Sequence, residues 1–427
     1  MTDLGHEMHD LARRLWPICR SIMGPGVRET LGTLKEFLPG LQVHAVASGT
    51  RCFDWTVPDE WRITDAHVIG PDGNKVIDMK QNNLHVVGYS LPIDTEMSLD
   101  ELQRHLHSLP DQPDAIPYVT SYYQPRWGFC IADRARRALA EGQYCVRVES
   151  ELVPGELNYG ELIIPGETDD EVFLSTYVCH PSMANNELSG PVVTTYLARW
   201  LMSLPRRRYT YRVVFAPETI GALCYLSRHL DALKRNVKAG FIVTCVGDDR
   251  AYSYLPSRAG DTLADRAAQH ALGCIDPAFV RYSFLDRGSD ERQYCSPGAD
   301  LPMATIMRSK YGCYPEYHTS LDDLDLVTPT GLVGGYNALS AAIRVVERNR
   351  VPRATTVGEP QLGRRGLYPT LSVKRSGDGV RTMMNVLAYA DGRHTLLDIS
   401  EKINAPFDEV DALCTLLEQH EVITCTI

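Results

Sequence analysis

His180 closes the run Ser175-Thr-Tyr-Val-Cys-His180 and is followed by the polar turn Pro-Ser-Met-Ala-Asn-Asn186-Glu187-Leu-Ser-Gly190. An imidazole at such a junction is a metal ligand or a proton carrier, although a lone loop histidine is more often satisfied by its neighbours. Glu218 holds the same kind of place in Tyr211-Arg-Val-Val-Phe-Ala-Pro-Glu218-Thr219-Ile-Gly221. A carboxylate there serves as a general base if its pocket raises its pKa toward neutrality, and as a helix-dipole partner otherwise. Downstream lies Asp286-Arg-Gly-Ser289-Asp290-Glu291-Arg292-Gln293-Tyr294. Its acids suit a cationic group or a metal and Arg292 suits an anion, against the plainer reading of a solvated loop. The last cluster, Tyr314-Pro-Glu316-Tyr317-His318-Thr-Ser-Leu-Asp322-Asp323, offers a second imidazole beside a phenol that can donate to an oxyanion. Two histidines and a glutamate, each expected just after a strand, favour one shared site.

The elements that must deliver these residues alternate. Val172–Val178 reads as a buried strand, Pro191–Leu204 as a helix, Tyr209–Ala216 as a strand, Gly221–Lys234 as a helix, Ala239–Val246 as a strand and Leu263–Leu272 as a helix. This order predicts an α/β fold with a largely parallel central sheet covered on both faces, whose ligands gather at the strand ends. Leu11, Leu15, Ile18 and Ile22, then Leu31, Leu34, Phe37 and Leu38, place two helices ahead of the first strands.

Between about 45 and 140 the pattern becomes short alternating runs, Ala66-His-Val-Ile, Val76-Ile-Asp-Met and Leu84-His-Val-Val, which predict a small β-rich module. It gathers Trp55, Trp61, Tyr122, Tyr123, Arg126 and Trp127, either as an aromatic core or as a wall facing a substrate. The Arg-, Pro- and Gly-rich stretch from Asn349 to Arg365 reads as a linker. Beyond it, three short amphipathic patterns and Glu421-Val-Ile-Thr have the order of a winged helix.

With 427 residues, two or three domains are expected; 44% hydrophobic and 23% charged residues suit a globular protein. The net charge of -11, with seven Lys/Arg against ten Asp/Glu from Glu359 to Ile427, argues against nucleic acid. Protein contact or homo-oligomerisation through the C-terminal domain is the better expectation. No basic, apolar leader and no membrane span is read, so a cytoplasmic location is expected. Among twelve cysteines there is no CxxC pair, and most, such as Cys179, Cys224 and Cys245, read as buried thiols.

The order His180, Asn186-Glu-Leu-Ser-Gly190, Glu218-Thr-Ile-Gly221, Ser289-Asp290, Gly298 and Tyr317-His318-Thr resembles the M28-type zinc aminopeptidases. The whole chain is similar to bacterial aminopeptidase-like proteins of the DUF4910 family, carried by Asp54-Trp-Thr-Val-Pro-Asp-Glu-Trp61, Ile116-Pro-Tyr-Val-Thr-Ser-Tyr-Tyr123, Trp127-Gly-Phe-Cys130, Cys179-His-Pro-Ser-Met-Ala-Asn-Asn186 and Gly288-Ser-Asp-Glu-Arg-Gln-Tyr294. The resemblance implies N-terminal helices over 1–45, an inserted β domain over 46–145 (DUF2172-like), an M28-like peptidase domain over 146–350 and a winged helix over 360–427.

It also implies two metals about 3.5–4 Å apart. Here, however, Asn186 stands at the bridging aspartate position, Thr219 follows the catalytic glutamate, and Thr244 replaces a later aspartate. With three carboxylates gone, a pair of zinc ions is not expected. The resemblance leaves one zinc, held by His180, Asn186 and His318 with Glu187, Asp248 or Asp290 as replacement ligands, Glu218 as general base and Tyr317 as oxyanion donor. Substrate contacts fall to Asp290, Glu291, Arg292, Tyr294, Glu316 and the aromatic residues of the β module. The expected activity is hydrolysis of an amide bond in a small peptide or an N-acylated metabolite or sugar. A metal-free amide-forming or amide-transferring enzyme and a non-enzymatic binding protein stand as alternatives.

Overall fold

The computed structural model describes residues 2–122, 124–367 and 377–426. An eight-stranded sheet runs in the order Gln42–Ala47, Glu156–Ile164, Thr210–Ala216, Glu171–Tyr177, Val237–Val243, Met303–Met307, Ser253–Leu255 and Val280–Arg281. Thr210–Ala216, Glu171–Tyr177, Val237–Val243 and Met303–Met307 are mutually parallel, while Glu156–Ile164 and Ser253–Leu255 join from either side antiparallel. The sheet is therefore mixed, with a parallel centre.

Strand alternation sorts the core into two layers. Val172, Leu174, Val213, Phe215, Phe241 and Val243 pack with the helices Thr2–Leu15, Ser189–Ser203, Leu263–Ile275 and Pro329–Arg348. Phe173, Tyr177, Val214, Ala216 and Ile242 point the other way, onto helix Ile220–Asn236 and the inserted module. Both faces of the central strands are covered, so their sequences are apolar throughout rather than alternating with polar residues. His180, Glu218 and Thr244 each follow the end of a parallel strand, and the shared strand direction brings them to one edge.

The inserted module is an antiparallel sheet ordered Lys75–Asp78, Glu60–Ile69, Gln143–Val153 and Ile93–Ser98. Its strand Gln143–Val153 pairs with Glu60–Ile69 from Cys145 to Val153, and the chain then turns back into the large sheet at Glu156. The run Leu84-His-Val-Val, expected as a strand, instead opens with a short turn over Asn83–His85, because the Asn82 side chain accepts the Leu84 N–H at 2.9 Å.

In the C-terminal region, helices Gly377–Tyr389, Leu396–Ile403 and Phe407–Gln419 accompany a ribbon of Val351–Ala354 paired with Ile423–Thr426. The stretch expected as a linker thus begins with a strand of this small domain. The domain docks on helix Leu263–Ile275. Arg266 reaches Asp398 at 2.7 Å and Glu401 at 2.6 Å, and the Phe407 N–H donates to His270 Nε2 at 2.9 Å. Among the described residues no helix is long and apolar enough to cross a membrane.

Candidate active site

Strand Glu171–Tyr177 delivers Cys179 and His180 to the sheet edge, and the turn over Ala184–Leu188 leads straight into helix Ser189–Ser203. That close return needs a glycine: a Cβ on Gly190 would stand 2.5 Å from both Thr176 Oγ1 and the Val243 carbonyl. The turn brings Glu187 Oε2 to 2.9 Å from His180 Nδ1, with Cys179 Sγ 3.3 Å from the same nitrogen. Arg20 lies behind them, 3.7 Å from Glu187 Oε1, with both side chains fully buried, and its Nε donates to the His180 carbonyl at 2.9 Å. Burial opposes a charge on His180, but Cys179 and Glu187 outweigh it and raise its proton affinity well above the ordinary value. With Nδ1 committed, Nε2 is left to face Glu218 Oε2 at 3.7 Å.

Glu218 leads into helix Ile220–Asn236 through Thr219, whose φ of 64° turns the chain sharply. Burial pushes the Glu218 carboxyl up, while His180 and Arg292 pull it down. Asp290 lies beneath, accepting the Thr219 N–H at 2.7 Å; burial and then Glu218 raise its carboxyl strongly. Arg292 donates from Nε to the Ser289 carbonyl and from a terminal nitrogen to Thr219 Oγ1, both at 3.1 Å.

His318 completes the site from a backbone φ of 56°. Its ring stacks on Tyr317 at 3.9 Å between centroids and stands 5.6 Å from that of His180. Burial and the neighbouring His180 lower its pKa to about 3, so it is a neutral imidazole at physiological pH. Tyr118, from the inserted module, covers both rings at 5.3 and 5.2 Å and donates its N–H to the His318 carbonyl. Its hydroxyl meets that of Tyr122 at 3.1 Å. The result is a cavity of about 360 Å³ floored by His180, Glu218 and His318 and walled by Trp55, Tyr118 and Tyr122. Arg292, Thr219 and Gln293 also line it.

The remaining metal donors expected from the sequence face elsewhere. Asn186 Oδ1 accepts from the Tyr177 hydroxyl at 3.1 Å, and that hydroxyl also meets Thr244 Oγ1 at 2.5 Å. A buried phenol thus fills the ground between two positions where the resemblance implies metal-binding carboxylates. Asp248 is consumed by Asn185, Ser309 and the Arg250 N–H, and Glu187 by His180 and Arg20. Among the described residues, the one cluster of three donors lying within 4.8 Å of one another is Cys179, His180 and Glu187. It is a hydrogen-bonded group around His180 Nδ1 with a guanidinium behind it, and His318 is not in it. A zinc between His180 and His318 would have Glu218 as its one carboxylate from the cavity, leaving no base, beside the positive Arg292. The residues do not fit the zinc centre expected from the sequence.

Several expected substrate contacts lie away from the cavity. Trp61 is buried and donates to the Ser90 carbonyl, and Trp127 stacks on His105. Arg126 holds the Thr120 carbonyl. Tyr294 is a core residue bonded to Ser175, Glu316 forms a bidentate pair with Arg250, and Glu291 accepts from Gly288, Ser289 and Tyr311. Tyr317 supports His318 rather than lining the cavity. Tyr123 lies outside the described residues. Trp55, Tyr122 and Arg292 do line the cavity. Sequence reasoning set Tyr118 among the aromatic residues of the β module without assigning it to the substrate, and missed Arg20. Tyr118 stands in the quoted stretch Ile116–Tyr123, whereas nothing local marks Arg20 as the partner of a glutamate 167 positions away.

The profile described as domain of unknown function (DUF4910) matches residues 9–349, and that of a winged helix-turn-helix (HTH_47) matches 350–425. A Clostridium acetobutylicum protein, provisionally named as a polysaccharide biosynthesis protein with an aminopeptidase-like domain, is 42% identical over 433 residues, covering 99% of this chain and 97% of its own. A crystal structure of a provisionally named peptidase from the same organism superposes with a TM-score of 0.94 at 41% identity, covering 100% of this chain and 97% of that one. The zinc aminopeptidase BSAP of Bacillus subtilis gives a TM-score of 0.59 at 12% identity, over 80% of this chain and 94% of its own. The peptidase M28 precursor of Shewanella amazonensis gives 0.56 at 12% identity, over 84% and 97%. These distant structures show that residues of the large sheet and its helices adopt the M28 peptidase fold.

Proposed function

The chain belongs to the DUF4910 family, and from that premise we propose that it is an enzyme acting on an amide bond of a small molecule held in the cavity over His180, Glu218 and His318. The observation that carries this reading is His180 Nε2 facing Glu218 Oε2 at 3.7 Å inside the cavity, with the other imidazole nitrogen fixed by Glu187 at 2.9 Å. A histidine so held offers one nitrogen in one orientation.

Glu218 takes the proton of the attacking water or amine and returns it to the leaving amine. Its raised pKa suits both halves of that cycle. His180, which favours its charged form, donates through Nε2 to the oxygen on which charge develops, the part the sequence had given to Tyr317. His318, kept neutral, accepts a hydrogen bond from the nucleophile and aligns it. The same proton transfers run in either direction, so this set serves hydrolysis with water and amide transfer with a second amine. The polysaccharide-related name of the Clostridium relative supports an N-acylated sugar or related metabolite as substrate, with a short peptide as the wider class.

The proposed reaction draws on no metal. Elemental analysis of the full-length protein purified without chelators tests that part. About one zinc per chain that disappears in His180→Ala and in His318→Ala would overturn the metal-free reading and restore the zinc hydrolase. Glu218→Gln tests the chemistry itself. Its kcat on a panel of N-acylated amino acids and amino sugars is expected to fall by about 10²- to 10⁴-fold, with ligand Kd nearly unchanged. Undiminished turnover would remove Glu218 from the reaction.

A further inference from the structure

We propose that the substrate carries a free carboxylate read by Arg292 and that its amine is blocked, so that a free ammonium group is disfavoured in this cavity. This rests on the reading of the cavity as the active site, and deepens it.

An enzyme that removes N-terminal residues must hold an ammonium group, which calls for an unpaired anion on the cavity wall. The sequence supplies candidates in Asp290, Glu291 and Glu316, and the fold withdraws all three. Glu291 spends Oε1 on the Gly288 and Ser289 N–H groups at 2.6 and 2.9 Å and on the Tyr311 hydroxyl, and its Oε2 is buried away from the cavity. Glu316 is locked to Arg250 through two bonds of 2.8 Å. Asp290 is turned under Thr219. None of the three lines the cavity.

Arg292 does, and it is exposed. Among the described residues it forms no ion pair. Its Nε and one terminal nitrogen are held by Ser289 and Thr219, which aims the guanidinium while leaving the second terminal nitrogen without a hydrogen-bond partner. A guanidinium fixed in direction with donors to spare is built for a planar carboxylate.

The charge count leads to the same place. His180 Nε2 faces Glu218 Oε2 at 3.7 Å, so the one carboxylate on the cavity wall already has a partner. Among the other lining residues, Ile22, Trp55, Thr120, Thr219, Ile220 and Gln293 have no ionisable side chain, and Arg292 is the one guanidinium on the wall. This guanidinium sits in a chain of net charge -11, so it is a local selection and not a property of the whole surface.

The test is a matched pair titrated calorimetrically into the full-length protein: N-acetylphenylalanine, which has a carboxylate and no ammonium, and phenylalaninamide, which has an ammonium and no carboxylate. N-acetylphenylalanine is expected to bind about tenfold or more tightly than phenylalaninamide, and Arg292→Gln to weaken it by about tenfold or more. Arg292→Lys, which keeps the charge and loses the fork, is expected to retain part of that affinity. Preference for phenylalaninamide, binding of neither compound, or an unchanged affinity in Arg292→Gln would each overturn the proposal. The wild-type comparison decides the matter even if a variant does not fold. Turnover by the wild-type protein, measured beside the titration, separates the two claims. Retained selectivity without turnover in any substrate panel sinks the catalytic reading alone, whereas turnover without carboxylate selectivity sinks this one alone.

Discussion

The phenol of Tyr177 lies between Asn186 and Thr244 and satisfies both, and the Asn186 amide nitrogen behind it is buried without a partner. A position where the resemblance implies a cation is thereby filled by a neutral hydrogen-bonding group, the less costly occupant where no carboxylate stands. Tyr177→Phe removes the phenol donor and leaves Asn186 Oδ1 with only the weak Cys245 thiol at 3.9 Å. Urea unfolding of that variant is expected to show a loss of about 1–3 kcal/mol; unchanged stability would mean that the phenol is not holding the amide. At the same scale, His180 and Glu218 are legible because each follows an apolar run, whereas His318 comes eleven residues after the strand Met303–Met307 and is marked by its polar, Tyr-rich cluster instead. The sequence does not read which acids of the Asp290–Glu291 cluster stay free, because that depends on which backbone N–H groups stand nearest once the chain has turned.

The element that sets His180 and Glu187 in register is the turn Ala184–Leu188, and Asp322 anchors it. Its carboxylate accepts the N–H groups of Asn185 at 2.6 Å and Asn186 at 2.9 Å and the Tyr314 hydroxyl at 2.9 Å. Burial raises its pKa to about 6, although these donors pull the other way. The folded value thus lies above the roughly 3.9 of an unfolded aspartate. The stability that this group contributes is complete below about pH 4 and is lost as pH rises through about 6. The urea midpoint of the wild type is expected to fall between pH 4.5 and 7 by this contribution, and Asp322→Asn to lack that part of the slope; equal slopes in the two proteins would contradict the assignment. The turn's place after a strand is legible in Pro181–Gly190, but its anchor comes from a segment more than 130 positions away, which no local pattern indicates.

At the scale of the whole molecule, the inserted module and the peptidase-like core make one cavity between them. Trp55, Tyr118 and Tyr122 come from one, and His180, Glu218 and His318 from the other. The C-terminal domain is joined to the far side of the core through Arg266, Asp398 and Glu401, and its acidic balance leaves no electrostatic footprint for DNA. We propose that it serves protein contact. A mobility-shift titration with duplex DNA at low salt is expected to stay blank up to about 10⁻⁵ M protein, within the range where nonspecific binders shift; a salt-sensitive shift below that concentration would reverse the assignment.

The amino-acid order by itself determined the succession of buried strands and amphipathic helices, the family, and the three residues that floor the cavity, because periodicity, the place of a polar residue after an apolar run and the make-up of a polar cluster are local properties. Only the tertiary structure decided the charge of that cavity. Asp290, Glu291 and Glu316 are withdrawn by partners that folding brings up, Tyr177 is packed where carboxylates would have gathered a metal, and Arg292 is left on the cavity wall. These outcomes depend on which groups meet across the sheet edge, and that is a matter of three-dimensional proximity that spacing along the chain does not encode.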